Sequence, residues 1–143
     1  MKRHAHFRVF ASCAALALVL FGCAGLSRNI TYYDPTTYKS LTDLKAEVIM
    51  VYESFAGESV DTLWMRSVRL KLAQMYEYEK GKGPGNAETT GQINIIRQMF
   101  DRHVDERKRY GMWEGVHLKN QIENISEAFD MAIETERFKN KSE

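Results

Sequence analysis

The chain has 143 residues, with 20 basic and 19 acidic side chains and a formal charge of +1. That length suits one small domain. The near balance excludes the strong one-sided basic excess that nucleic-acid binding needs.

The first eight residues, Met1 to Arg8, carry Lys2, Arg3 and Arg8 and no acid. An apolar stretch follows from Val9 to Phe21. At about 13 residues it is too short to cross a bilayer, which takes about 20. A basic start, a short apolar core and a small-residue end are the marks of an export signal. The stretch closes on Leu20-Phe21-Gly22-Cys23. This resembles the signal sequence and lipobox of bacterial lipoproteins, with Phe21 larger than the usual occupant of its position. The resemblance covers residues 1–23. It implies that residues 1–22 are a cleaved signal peptide and that Cys23 carries lipid as the first residue of the mature chain. It also implies a cell-envelope location. Ala24 stands where an Asp would hold such a protein in the inner membrane, which points to the outer membrane, facing the periplasm, in a Gram-negative cell.

Removing the leader changes the charge to 20 − 3 = 17 basic against 19 acidic side chains, a net −2. The two cysteines are Cys13, in the leader, and Cys23. The mature domain is therefore expected to hold together without disulfides, and without thiol chemistry or a Cys-based metal site.

Residues 23–39 read as the lipidated N-terminus and tether, with Asp34-Pro35-Thr36-Thr37 as a turn or a helix start. Residues 40–139 read as a helical domain and 140–143 as a frayed end. Four stretches have helical period and no internal repeat is visible. The first runs from about Leu41 to Phe55, with Ser40 and Asp43 at capping-box spacing and Leu41, Leu44, Val48, Val51, Tyr52 and Phe55 on one face. The second runs from about Val60 to Lys80, with Ser59 as its cap and Val60, Trp64, Val68, Leu72 and Met75 as its stripe. Gly81 to Asn86 breaks the chain and reads as a flexible linker. It lacks the Gly-Lys-Ser/Thr ending and the preceding strand of a phosphate loop. The third helix starts near Gly91, with Thr89 and Gln92 at capping-box spacing, and ends at Gly111. Ile93, Ile96, Phe100, His103, Val104 and Arg107 share its face. The fourth runs from about Gly115 to Phe138, with Leu118, Ile122, Ile125, Phe129, Ala132 and Ile133 inward. Together these predict an all-α, antiparallel four-helix bundle. A three-helix core with a loosely packed first helix is the alternative.

No motif predicts catalysis, and the chain reads as a non-enzyme. His103 reads as a half-buried packing residue, and Arg107 as a side chain that snorkels from the apolar stripe to solvent. Glu123, Glu127, Asp130 and Glu134 form an acidic stripe that reads as a solvated face. It lacks the cleft and the split environments that glycosidase carboxylates need. Helix two is apolar over an unusually wide arc. Leu63, Trp64, Leu70 and Tyr76 cannot all face one core, and they are the expected partner-binding residues. The sequence thus points to a lipid-anchored envelope protein that binds a protein partner as an adaptor, assembly or structural factor, with no cofactor. The alternative is a bundle holding a small ligand, haem or metal in its core through His103 and one of Met75, Met99 or Met131.

Overall fold

The computed structural model describes residues 32–140; the leader, Cys23 and the last three residues lie outside them. The described chain forms α1 (Pro35–Ser54), α2 (Thr62–Gly81), a 3₁₀ turn (Pro84–Asn86), α3 (Ala87–Tyr110) and α4 (Gly115–Arg137). The fold is an all-α four-helix bundle.

Three helix starts differ from the expected ones. α1 begins at Pro35 rather than Leu41, because Asp34 holds an extended conformation and accepts the Thr36 N–H, with Pro35 next in line. Proline's fixed φ suits the first helical position and needs no N–H there. Ser40 is therefore inside the helix and caps nothing. Asp61, not Ser59, caps α2 by accepting the N–H groups of Leu63 and Trp64. α3 begins at Ala87, ahead of Gly91, because the 3₁₀ turn feeds directly into it. Gly111 ends α3 as expected, at φ 88°, a conformation costly for any residue with a Cβ.

Each helix packs beside its neighbours in the chain, and α4 closes the square against α1. Cross-helix pairs fix the antiparallel sense. Lys71 meets Glu47 at 2.7 Å, Arg69 meets Asp101 at 2.5 Å, Gln92 donates to Thr135 at 2.8 Å and Lys45 meets Asp130 at 2.6 Å. These exposed or half-exposed pairs set direction more than they stabilise. The core is apolar, with Tyr52, Phe55, Phe100 and Phe129 fully buried. α1 contributes a full stripe to it, from Leu41 to Phe55, so the loosely packed alternative does not hold. Trp113, in the α3–α4 connection, is also buried.

The buried positions reveal a repeat that the residue identities hide. Thr37, Leu41, Leu44, Val48, Val51, Tyr52 and Phe55 along α1 match Thr89, Ile93, Ile96, Phe100, His103, Val104 and Arg107 along α3 at one constant displacement. Val68, Leu72, Met75 and Glu79 of α2 match Ile125, Phe129, Ala132 and Glu136 of α4 in the same way. The bundle is two similar helical hairpins, α1–α2 and α3–α4, related by an approximate two-fold axis along its length.

Phe129→Ala is expected to cost about 3–5 kcal/mol, as aromatic truncations in packed cores do. Leu63→Ala, at an exposed site, should stay within about 0.5 kcal/mol. Urea unfolding of the two variants measures both; equal losses would contradict the core assigned here.

Candidate functional site

α2 carries the residues singled out from the sequence, and the structure divides them. Leu63 and Leu70 are 74% and 58% exposed, on the solvent side of the helix. Trp64 and Tyr76 are half-buried and lie against the margin of the core. Tyr76 is further covered by Arg97, whose guanidinium sits 4.7 Å from the ring centre. The wide apolar arc of α2 is therefore a core stripe (Met65, Val68, Leu72, Met75), a half-buried margin, and two leucines that the core does not use. Their counterparts on α4 under the internal two-fold are Asn120 and Glu127, both exposed and polar. The fold does not require an apolar residue at either position. At the same end of the bundle as Leu63, Tyr110 and Val116 are 73% and 74% exposed. Neither stands on a helical stripe, so periodicity does not find them.

The opposite end is closed by a ring of polar groups. The Asp34 N–H donates to Glu136 Oε1 (2.7 Å), Lys139 binds Glu136 (2.6 Å) and Asn86 Oδ1 (2.6 Å), and Asn86 Nδ2 donates to Glu79 Oε2 (2.6 Å). Lys82 binds Glu79 (2.8 Å) and Asp34 (2.7 Å), which completes the circuit. Glu79 and Glu136 have no exposed surface. Thr37, also fully buried, donates to Glu79 and receives Lys82 Nζ at 2.5 Å. Burial pushes the Asp34 carboxyl up, but hydrogen bonds from Lys82, Tyr78 and the Thr36 N–H outweigh it and hold the group well below the usual carboxylate range. Burial lowers Lys82, and its bonds to Asp34 and Glu79 overcome that and raise it. Asp34 thus contributes stability that is present above about pH 4 and lost as pH falls toward its folded-state value. The segment read as a flexible linker is anchored in this ring through Lys82 and Asn86. Asn86 spends its side chain here, which is why it makes no cap bond to α3. The ring's members are scattered from residue 34 to 139; the only sequence trace is Glu-x-x-Lys at the end of both α2 and α4.

At the Leu63 end, Arg107 does not snorkel. Its side chain is buried, and it donates to the Phe55 carbonyl (3.0 Å) and the Gly57 carbonyl (2.6 Å). The last carbonyls of a helix have no partners within it, and the helix dipole favours a cation there, so the C-terminus of α1 draws the guanidinium inward. His103 is almost fully buried rather than half-buried, with Nδ1 at 2.8 Å from Tyr52 Oη. Burial pushes Tyr52 far above its ordinary value, so its hydroxyl keeps its proton and is assigned as the donor to Nδ1. Burial and then Arg102 lower His103, Glu106 opposes them, and His117 lowers it further. Trp113 packs edge-on to Tyr52, Phe55, His103 and His117, and His117 pairs with Glu106 at 2.9 Å. These rings fill the space around His103, and its Nδ1 is engaged, so the haem arrangement finds no support in the geometry. Among the described residues no three His, Cys, Asp or Glu side chains converge as a metal site.

The acidic stripe of α4 is solvated. Glu123 and Glu127 are exposed, Asp130 meets Lys45, and Glu134 lies 3.7 Å from Arg137. No helix of the described residues is long and apolar enough to cross a membrane. The chain matches no protein-family model, no curated protein and no solved structure.

Arg107→Leu should cost about 1.5–3 kcal/mol in denaturant unfolding, and Arg107→Lys should recover little of it, since an ammonium lacks the two-pronged geometry. A full recovery by Lys would show that charge alone matters. The lowered His103 also gives a signed pH effect. The unfolded chain takes up this proton first, near pH 6.5, so stability should fall as pH drops below about 6.5. His103→Gln should flatten that slope in thermal melts; an unchanged slope would assign it to other groups.

Proposed function

We propose that the protein is anchored in the cell envelope by lipid on Cys23 and acts as a protein-binding adaptor, assembly or structural factor, with the outer face of α2 as its docking surface. The observation that carries the docking surface is the exposure of Leu63 and Leu70 at positions where the equivalent helix holds Asn120 and Glu127. Two exposed leucines one heptad apart on the same side of α2 offer a partner an apolar strip to bury. Leu20, Gly22 and Cys23 support the anchor, and Ala24 supports the outer membrane, facing the periplasm, in a Gram-negative cell.

The two parts of the reading fit one geometry. The nine residues 23–31 reach about 30 Å when extended. The chain then joins the bundle at the polar ring, where the Tyr33 N–H donates to the Asn140 carbonyl. A 20-residue helix such as α1 is about 30 Å long. Leu63, in the first turn of α2, is therefore held at the end farther from the anchor. The reading assigns no catalytic role.

Cys23→Ser should abolish acyl labelling and release the protein from membranes; continued attachment would sink the anchor. A photo-cross-linker at position 70 should capture one dominant envelope protein in living cells, whereas a cross-linker at position 127 should not. Leu70→Glu should abolish that capture while changing stability by no more than about 0.5 kcal/mol. Equal capture from positions 70 and 127 would remove α2 as the docking face.

A further inference from the structure

The two hairpins differ in the groove that each forms between its own helices. In the first, the groove between α1 and α2 is a cavity of about 400 Å³ walled by Asp43, Glu47, Lys71 and Gln74, and Glu47 meets Lys71 across it at 2.7 Å. In the second, the internal two-fold puts Ile95, Met99, Ala128 and Met131 at those places. The Gln92–Thr135 hydrogen bond (2.8 Å) sets the antiparallel register of α3 against α4. A turn further on, that register brings Ile95 level with Met131, and a turn beyond that it brings Met99 level with Ala128. Ile95 and Met131 are 55% and 58% exposed, Met99 is half-buried against the core, and Ala128 is buried. Phe138, also exposed, continues the line past Thr135 toward the polar ring. The result is an apolar strip along the α3–α4 groove, where the first hairpin has polar groups and an ion pair.

Carboxylates border this strip. Glu127 and Glu134 stand a turn before and a turn after Met131 on α4, and Glu88 lies on the same side of α3 as Ile95; all three are exposed. Glu134 has Arg137 at 3.7 Å, while Glu88 and Glu127 have no ion-pair partner among the described residues. Arg102, about two turns beyond Ile95 on α3, marks the far end of the acidic stretch. We propose that the groove receives an amphipathic helix of a protein partner, apolar along one side and bearing Lys or Arg along its edges. A groove between two helices accepts a third by the same ridge packing that joins the first two, with apolar side chains entering at i, i+3, i+4 and i+7. Unbranched Met99 and Met131 adjust to the side chains that arrive. The carboxylates set the sign, since they attract a basic edge and repel an acidic one. A phospholipid surface would instead press its phosphates against Glu127 and Glu134, which like-charge repulsion opposes. This inference does not depend on the lipid anchor or on the α2 face.

The test is titration of the full-length protein, methyl-labelled at Ile and Met, with the amphipathic peptide acetyl-LKKLLKLLKKLLKL-amide and with its acidic counterpart of the same leucine spacing, acetyl-LEELLELLEELLEL-amide. The lysine peptide should give saturable shifts of the Ile95, Met99 and Met131 methyl signals and bind about tenfold or more tighter than the glutamate peptide. Ile95→Gln with Met131→Gln, both at exposed positions, should weaken the lysine peptide about tenfold or more while leaving urea unfolding unchanged. Glu127→Gln with Glu134→Gln should narrow the preference between the peptides, as should added salt. Leu70→Gln should leave binding unchanged, which separates this groove from the α2 face. Equal binding of the two peptides, an affinity unmoved by Ile95→Gln with Met131→Gln, or a loss that follows Leu70→Gln instead would overturn the proposal. So would shifts that arise from rising protein concentration or from phosphatidylcholine vesicles while the lysine peptide gives none, which would assign the groove to a second copy or to a membrane.

Discussion

Two carboxylates with no exposed surface, Glu79 and Glu136, must each be given a cation and a hydrogen-bond donor before this bundle can close. A buried charge without a partner is among the most costly arrangements in a protein, whereas a fully satisfied pair is often close to neutral against an apolar replacement. The contribution of the ring is therefore to specify the arrangement more than to add net stability. It accepts only one placement of four helix ends: the start of α1 through Asp34, the end of α2 through Glu79 and Lys82, the start of α3 through Asn86, and the end of α4 through Glu136 and Lys139. A slip of one helix along its neighbour would strand at least one of these charges. The apolar core, which tolerates small shifts, does not impose that condition.

The other end of the bundle is built on the same two-fold plan and departs from it further. Where α1 has Val51, Tyr52 and Phe55, α3 has His103, Val104 and Arg107. Two of the substituted residues reach across to the first hairpin: His103 to Tyr52, and Arg107 to the carbonyl of Phe55. Trp113 then covers the group from the α3–α4 connection, its backbone N–H donating to the same Phe55 carbonyl at 3.0 Å. Tyr52 of the first hairpin donates to His103, Arg107 of the second donates to Phe55, and with such unlike contributions the halves can no longer be exchanged.

The sequence made the number of helices, their antiparallel order and most of the core legible, because these rest on period and on glycine. Leu41 to Phe55 and Ile93 to Val104 are plain apolar stripes, and Gly111 is a plain stop. The helix starts were hidden for a local reason. Ser40 and Ser59 have the right chemistry for caps, but Asp34 and Asp61 have it too, and Pro35 shifts the balance at α1 toward the earlier site. Trp113 has no period to betray it. Arg107 was visible as an anomaly, but its partners are carbonyls of a segment some fifty residues away, which no spacing rule reaches. The repeat was concealed because only burial is repeated; Leu44 and Ile96, or Met75 and Ala132, share a place and not an identity. Of the four residues marked on α2, arc width alone could not separate Leu63 and Leu70 from Trp64 and Tyr76. That distinction needed the positions of α1 and α3.

The two ends of the described chain lie side by side, joined by the backbone hydrogen bond from Tyr33 to Asn140. Any tension drawn through the residues before Tyr32 reaches the domain at this junction. It meets the Tyr33–Asn140 bond, the Asp34–Glu136 bond and the Asp34–Lys82 ion pair together, spread over α1, α2 and α4. The load is shared among three helices at once instead of falling on α1 alone. The bundle is thus gripped, at the place where a tether would pull, by its most specific set of bonds.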